Sequence, residues 1–196
     1  MNSKKILVSG AVLFASFTLA ACGNSNSTAE STGSGSGQTT QSANNKITVD
    51  YDDYTVGSSK NYKLDYTNND WDLATVKVNK VTVYKLAKSY TYDSGSDGKF
   101  AINGFIKLDV SVTAKDDIDV YATQGTGNFN GQQQSAAGLS WDGSINKGAT
   151  KSGEIYLPVK DLNKVSEIKD IRYQFSAYPK ENSDDFNYDL TLNLNN

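Results

Sequence analysis

Twenty-two carboxylates and no histidine bound the chemistry open to this chain of 196 residues. Without an imidazole, the commonest general base and metal ligand is missing, and Ser-His and Cys-His nucleophilic mechanisms lack their base. A pair of acids could still work on a glycosidic bond as acid and base. The candidates are Asp50, Asp52, Asp53, Asp116, Asp117, Asp119, Asp184 and Asp185. They cluster in polar runs next to turns, where like charges stay solvated and ionised, so no catalytic residue is assigned. Asp93-Ser94-Gly95-Ser96-Asp97-Gly98 carries acids at the first and fifth positions of a calcium loop and glycine at the sixth. Its third position, Gly95, has no side-chain oxygen, and its twelfth is Gly104 where a bidentate Glu is needed. The segment reads as a hairpin loop, with no metal site and no cofactor expected. Aromatic residues are the remaining candidates, since Tyr and Trp serve both cores and recognition surfaces. Trp141 and Trp71 sit in polar surroundings near expected turns, and Tyr90 and Tyr92 precede the Asp93 loop. These four are the candidate binding residues, the competing role being that of plugs at the ends of a fold.

The single cysteine, Cys22, has a more specific setting. Lys4 and Lys5 lead into an uncharged stretch, Ile6 to Leu19, shorter than the roughly 20 apolar residues of a membrane-spanning helix. Leu19-Ala20-Ala21 stand directly before Cys22, with Gly23 after it. This arrangement resembles the lipobox of bacterial lipoproteins, which implies that residues 1–21 are a signal peptide and that Cys22 receives a diacylglycerol. Two acyl chains give durable attachment where one is marginal. The expected location is the outer face of the cell membrane. A lipidated Cys22 leaves no thiol for a disulfide, so stability must come from packing.

Residues 23–45 are almost entirely Ser, Gly, Asn, Thr, Gln and Ala, with Glu30 as the one charge. Such a stretch cannot bury enough surface to fold. As a Gly/Ser-rich coil it spans about 25 to 30 Å, and residues 22–45 read as a disordered tether holding a domain away from the lipid. From Lys46 to Asn196 lie about 150 residues, the size of one domain.

That domain reads as strands. Phe186, Tyr188, Leu190, Leu192 and Leu194 alternate with Asn187, Asp189, Thr191 and Asn193; Ile106 to Ala114 repeats the pattern, and Ile171 to Ala177 and Ile155 to Val159 follow it. Ile47, Val49 and Tyr51 alternate too, and Ile118, Val120 and Ala122 add one more strand. Between Val78 and Val81 the alternation slips at Asn79-Lys80, the sign of a bulge or bend. Turns are expected at Asn68 to Asp70, Asp93 to Gly98, Asp116-Asp117, Gly125 to Gly131, Asp142-Gly143 and Lys147-Gly148. Leu162, Val165 and Ile168 suggest a short helix or turn. Half-polar strands without βαβ alternation imply an antiparallel sandwich, and we expect an immunoglobulin-like β-sandwich over 46–196, without the cysteine pair of antibody domains.

The run Ala74 to Val159, with the Gly104-to-Thr113 strand, Ile145-Asn146-Lys147-Gly148 and Gly153-Glu154-Ile155-Tyr156-Leu157-Pro158-Val159, is similar to the telokin-like, immunoprotective-extracellular type of immunoglobulin-fold domain on Gram-positive surface lipoproteins. Ala114-Lys115-Asp116-Asp117 stands where the family often has Asn. The resemblance implies the fold and the surface location, and supplies no catalytic residues.

Loss of Lys4 and Lys5 with the signal peptide leaves 17 basic against 22 acidic residues, a formal charge of −5. Nucleic acid is thereby an unfavourable partner. Lys77, Lys80, Lys85 and Lys88 form a local basic stretch best explained as a solvated strand face. The expected function is a non-enzymatic, lipid-anchored module recognising a protein or glycan at the cell surface. The alternatives are an envelope-associated structural lipoprotein without a dedicated ligand and a wall-polymer hydrolase.

Overall fold

The computed structural model of the protein describes residues 45–95, 97–181 and 185–195. The expected signal peptide, Cys22, the expected tether to residue 44 and Asp184 lie outside the described residues.

Eleven strands form within the described residues. They are β1 (Lys46–Val49), β2 (Asp52–Asn68), β3 (Ala74–Asp93), β4 (Lys99–Ala114), β5 (Ile118–Val120), β6 (Thr126–Phe129), β7 (Gln132–Ser135), β8 (Gly143–Ile145), β9 (Thr150–Val159), β10 (Asp170–Pro179) and β11 (Phe186–Asn193). All pair antiparallel, in two sheets. The five-stranded sheet has the order β1-β2-β3-β4-β9. In the six-stranded sheet β10 is central, with β11 along one edge and both β5 and β6 along the other; β8 extends β5 and β7 extends β6. The all-β antiparallel sandwich expected from the alternation is what the chain forms.

Period-two alternation puts one face of each sheet in the shared core. Val76, Val78, Val81 and Val83 of β3, Ile106, Leu108, Val110 and Val112 of β4, and Ile155, Leu157 and Val159 of β9 face Ile171, Tyr173, Phe175 and Ala177 of β10 and Tyr188, Leu190 and Leu192 of β11. Burying each such Val, Leu or Ile is worth about 1.5–3 kcal/mol, the source of stability in a domain without a disulfide. The slip at Asn79-Lys80 is a bulge within β3, where the register to β4 shifts between Val78 and Lys80. It keeps Val78 and Val81 on one face.

Three local expectations differ from what forms. Gly125 to Gly131, read as a turn, contains β6, and only Asn130-Gly131 turns, with φ of 46° and 72°. Tyr51 leaves the alternating strand and sits at the tip of the β1–β2 hairpin, because Val49 pairs with Asp52. Ala122, expected in one strand with Ile118 and Val120, lies instead in a 3-10 turn after the strand ends at Val120. At Leu162, Val165 and Ile168 the turn alternative is what forms: Leu162 and Ile168 anchor an irregular crossover into the core, where the Glu167 carboxylate accepts from the Asn163 and Lys164 N–H groups.

Candidate functional site

Outside the shared core, the two outer faces of the sandwich have different fates. β2, β3 and β4 are long, 17, 20 and 16 residues, and irregular at their β1-proximal ends, with register shifts between Val56 and Ser58 and between Lys85 and Tyr90. The bends gather Val49, Tyr54, Val56, Leu86, Tyr92, Ile102, Phe105, Ala137 and Tyr156 into a second apolar cluster. Phe105 is its hub. Its ring lies 4.9 Å from Tyr54, 5.9 Å from Tyr92 and 6.2 Å from Tyr156, each edge to face, contacts worth about 0.5–1.5 kcal/mol apiece beyond burial.

Tyr90 and Tyr92, two of the sequence-derived candidates, belong to this cluster. The Tyr92 hydroxyl donates to Asp50 Oδ2 at 2.8 Å, and Asp50 Oδ1 accepts from the Gly138 N–H at 2.9 Å. One carboxylate thus ties the β1–β2 turn to β3 and to the segment after β7. Burial, reinforced by Asp50, pushes the Tyr92 phenol well above its ordinary value. Tyr90 packs edge-on against Tyr54 at 5.1 Å, and its hydroxyl accepts from the Thr55 N–H at 3.0 Å, which lowers its pKa.

The tryptophans lie elsewhere and apart. Trp71 is half-buried at one end of the main core, stacked on Phe186 with centroids 5.5 Å apart and planes 7° apart, and edge-on to Tyr188. Trp141, also half-buried, packs against the same core, and its Nε1–H donates to the Glu154 carbonyl at 3.2 Å. Gly153 makes this possible, since a methyl group there would overlap the indole. Both indoles therefore do the work of plugs, and the four aromatics form no single site.

The acids are committed to turns and pairs. Asp53 pairs with Lys46 and accepts from Thr48, which hold its carboxyl below the usual range. Asp116 faces Lys147, Asp117 accepts from the Lys147 N–H, and Asp119 accepts from Ser144. Among the described residues no three Asp, Glu, His or Cys side chains come together as metal ligands. Of the basic stretch, Lys80 pairs with Asp109 at 2.8 Å, Lys85 donates to the Leu162 carbonyl, and Lys88 lies over the Tyr90 ring.

The outer face of the six-stranded sheet carries an open basin of about 720 Å³. Its origin is an interruption. β5 and β6 run along the same edge of β10, but Val120 pairs with Ala177 and Thr126 with Gln174, so five residues on one side oppose two on the other. The surplus winds into a single 3-10 turn, Ala122–Gln124. This turn is drawn toward the core: Ala122 is fully buried and its carbonyl accepts from the buried Tyr173 hydroxyl at 2.6 Å. Asp142 clamps it from outside, accepting from the Thr123 N–H and hydroxyl, both at 2.7 Å. At Gly125 a side chain would strike the Gln174 carbonyl and the Tyr173 hydroxyl.

A depression is left where the strand has withdrawn. Gln174, Ser176 and Tyr178, from the polar face of β10, form its floor, with Tyr121, Gln124 and Thr126 on one side, Gln133 on β7 and Asn187 on β11. None of the described residues that line it is charged. Tyr121 and Tyr178 cross edge to face at 5.6 Å, and Ser176 Oγ donates to Asn187 Oδ1 at 2.7 Å. The nearest cation on β10, Arg172, is neutralised by Asp189 through a bidentate pair. Crossed phenols beside hydroxyls and carboxamides can hold a ligand with both apolar faces and hydrogen-bonding groups. Sequence reasoning passed over these residues. The one available signal was the density of Gly and Gln between Gly125 and Gln134.

No protein-family model matches the chain, and no curated protein matches it. Solved structures give distant likenesses. A functionally unknown protein from Listeria monocytogenes EGD-e is 14% identical with a TM-score of 0.49, covering 71% of this chain and 87% of that one. A candidate lipoprotein, ycdA, from Bacillus subtilis subsp. subtilis str. 168 is 15% identical with a TM-score of 0.43, over 68% of this chain and 40% of that one. A conserved hypothetical protein from Bacillus anthracis is 11% identical with a TM-score of 0.37, over 66% and 96%. None of the three transfers a function, and the telokin-like resemblance gains nothing from them.

Proposed function

We propose that this protein is a lipid-anchored, extracytoplasmic binding module without enzymatic activity, and that its ligand site is the basin on the outer face of the six-stranded sheet. The single observation carrying the reading is that basin: a cavity of about 720 Å³, within the range of small-ligand sites, roughly 300–1,000 Å³, lined by uncharged hydrogen-bonding side chains and a tyrosine pair. The anchor rests on the Leu19-Ala20-Ala21-Cys22 lipobox and the tether on the composition of residues 23–45. Placing the ligand on a rigid sheet face, with the turn beneath it clamped by Tyr173 and Asp142, suits recognition better than chemistry. No described residue lining the basin offers a carboxylate or amine to act as acid, base or nucleophile.

The test is photo-crosslinking on producing cells with the full chain, placing probes at Tyr178 and Gln133 and, for comparison, at Trp141, Trp71 and Tyr92. A recurrent adduct from the basin positions, lost in Cys22→Ser, is the expected result. Recurrent adducts from the tryptophans alone would move the site to them. Scattered lipid and wall adducts from every position would leave a structural envelope lipoprotein as the better description.

A further inference from the structure

Resting on the binding-module reading, we propose that the basin takes an uncharged oligosaccharide. The argument turns on which ligand the lining excludes. An anionic polymer or nucleic acid needs free cations; no described lining residue is a cation, and Arg172, two residues along β10 from Gln174, is held in a two-point pair by Asp189. A cationic ligand needs an available carboxylate. Among the described residues each acid hydrogen-bonded to the lining is already engaged: Asp142 accepts from Thr123 and Gln124, Asp189 from Arg172 and Gln174, and Asp185 from Asn187. A peptide added as an extra strand needs a free sheet edge, whereas the basin lies on the face of β10, both of whose edges are paired. A purely apolar ligand would strip water from four carboxamides without replacing their hydrogen bonds.

A neutral sugar meets each condition. Its hydroxyls donate and accept at once, as do the side-chain amides of Gln124, Gln133, Gln174 and Asn187. Its ring presents C–H faces that pack on phenol rings while its hydroxyls stay wet, a match for the Tyr121–Tyr178 pair. The site is held ready for such a ligand. The β6–β7 hairpin that carries Gln133 is fixed by its two-residue Asn130-Gly131 turn, and the floor is a sheet with every strand paired. Little ordering is left for binding to pay. The open, shallow shape suits a segment within a longer chain, the form in which neutral sugars occur at a cell surface.

The experiment uses the full lipidated chain in detergent and calorimetric titration with four tetrasaccharide probes of similar size. Cellotetraose, maltotetraose and the N-acetylglucosamine tetramer are neutral; tetragalacturonate is anionic. At least one neutral probe should bind, at least about tenfold more tightly than tetragalacturonate. Tyr178→Ala and Gln174→Ala should each weaken it by about tenfold or more, while a Trp71→Phe control leaves it unchanged. Gln133→Ala, at an exposed position, covers the case in which either variant misfolds. Absence of binding by all three neutral probes, equal binding of the anionic one, or affinity indifferent to every basin variant would overturn the proposal. A protein partner crosslinked at Tyr178 in cells, with no oligosaccharide bound, would sink the sugar while leaving the binding module standing.

Discussion

The two outer faces of this sandwich begin alike, as the polar sides of antiparallel sheets, and end as opposites. On the five-stranded sheet, long irregular strands fold back on themselves and enclose Phe105 in tyrosines, so an outer face becomes a second core. On the six-stranded sheet, the strand beside β10 steps inward for one turn and leaves an open basin whose described lining is uncharged. Both outcomes come from irregularities in pairing. Surplus residues that carry large apolar side chains close a face; a surplus held down by a buried phenol opens one. Aromatic content alone does not separate the two, since tyrosines line both.

The comparison breaks most directly at Phe105. Phe105→Ala should cost about 3–5 kcal/mol in denaturant unfolding and leave the geometry of the basin intact; an effect under 1 kcal/mol would mean that the second cluster is not a cohesive core. Tyr92→Phe should cost about 1.5–3 kcal/mol, because the Asp50 side chain loses a hydrogen bond. The same phenol predicts a pH dependence. Its folded pKa stands above the ordinary 10.0, so its stabilisation is whole below pH 10 and is lost as the pH rises beyond it. Melting temperature followed from pH 8 upward should fall less steeply in Tyr92→Phe than in the parent.

Tyr173→Phe probes the other face. It leaves the buried Ala122 carbonyl without its donor, at a cost of about 1–2 kcal/mol, and should weaken basin binding although Tyr173 touches no ligand. Retained affinity would show that the inserted turn does not depend on this bond. Tyr51 sharpens the comparison from the hairpin tip, where it is 85% exposed and held at φ 71°. Tyr51→Gly should stabilise by about 1 kcal/mol by relieving a left-handed backbone that only glycine adopts freely. The smallest effect is expected for Gln133→Ala, within about 0.5 kcal/mol of the parent in unfolding, and visible only in binding.

Much of the layer structure was legible in the sequence, and little of the site. Phe186 to Asn193 and Ile106 to Ala114 alternate so cleanly that strand, face and core residues follow from period two alone. The Asn79-Lys80 bulge was readable for the same reason. β6 and β7 were not, because Thr126-Gly127-Asn128-Phe129 and Gln132 to Ser135 lack the propensity of strands and owe their form to pairing with each other and of β6 with β10. Trp141 looked like a loop aromatic because its partner, Gly153, is twelve residues away and gives no sign in one dimension of the space it leaves.

The sequence by itself determined the all-β class and the main core, and it is the basis for expecting an anchor, a tether and a domain in that order. These rest on local pattern: hydrophobic periodicity, a resemblance to the lipobox before Cys22, and the change of composition at Lys46. Only the tertiary structure decided which aromatics are buried, which acids are paired, and where a cavity opens. Those depend on register between strands distant in sequence, such as the five residues of the β5–β6 step set against two of β10, and register is fixed by the packing of the whole core.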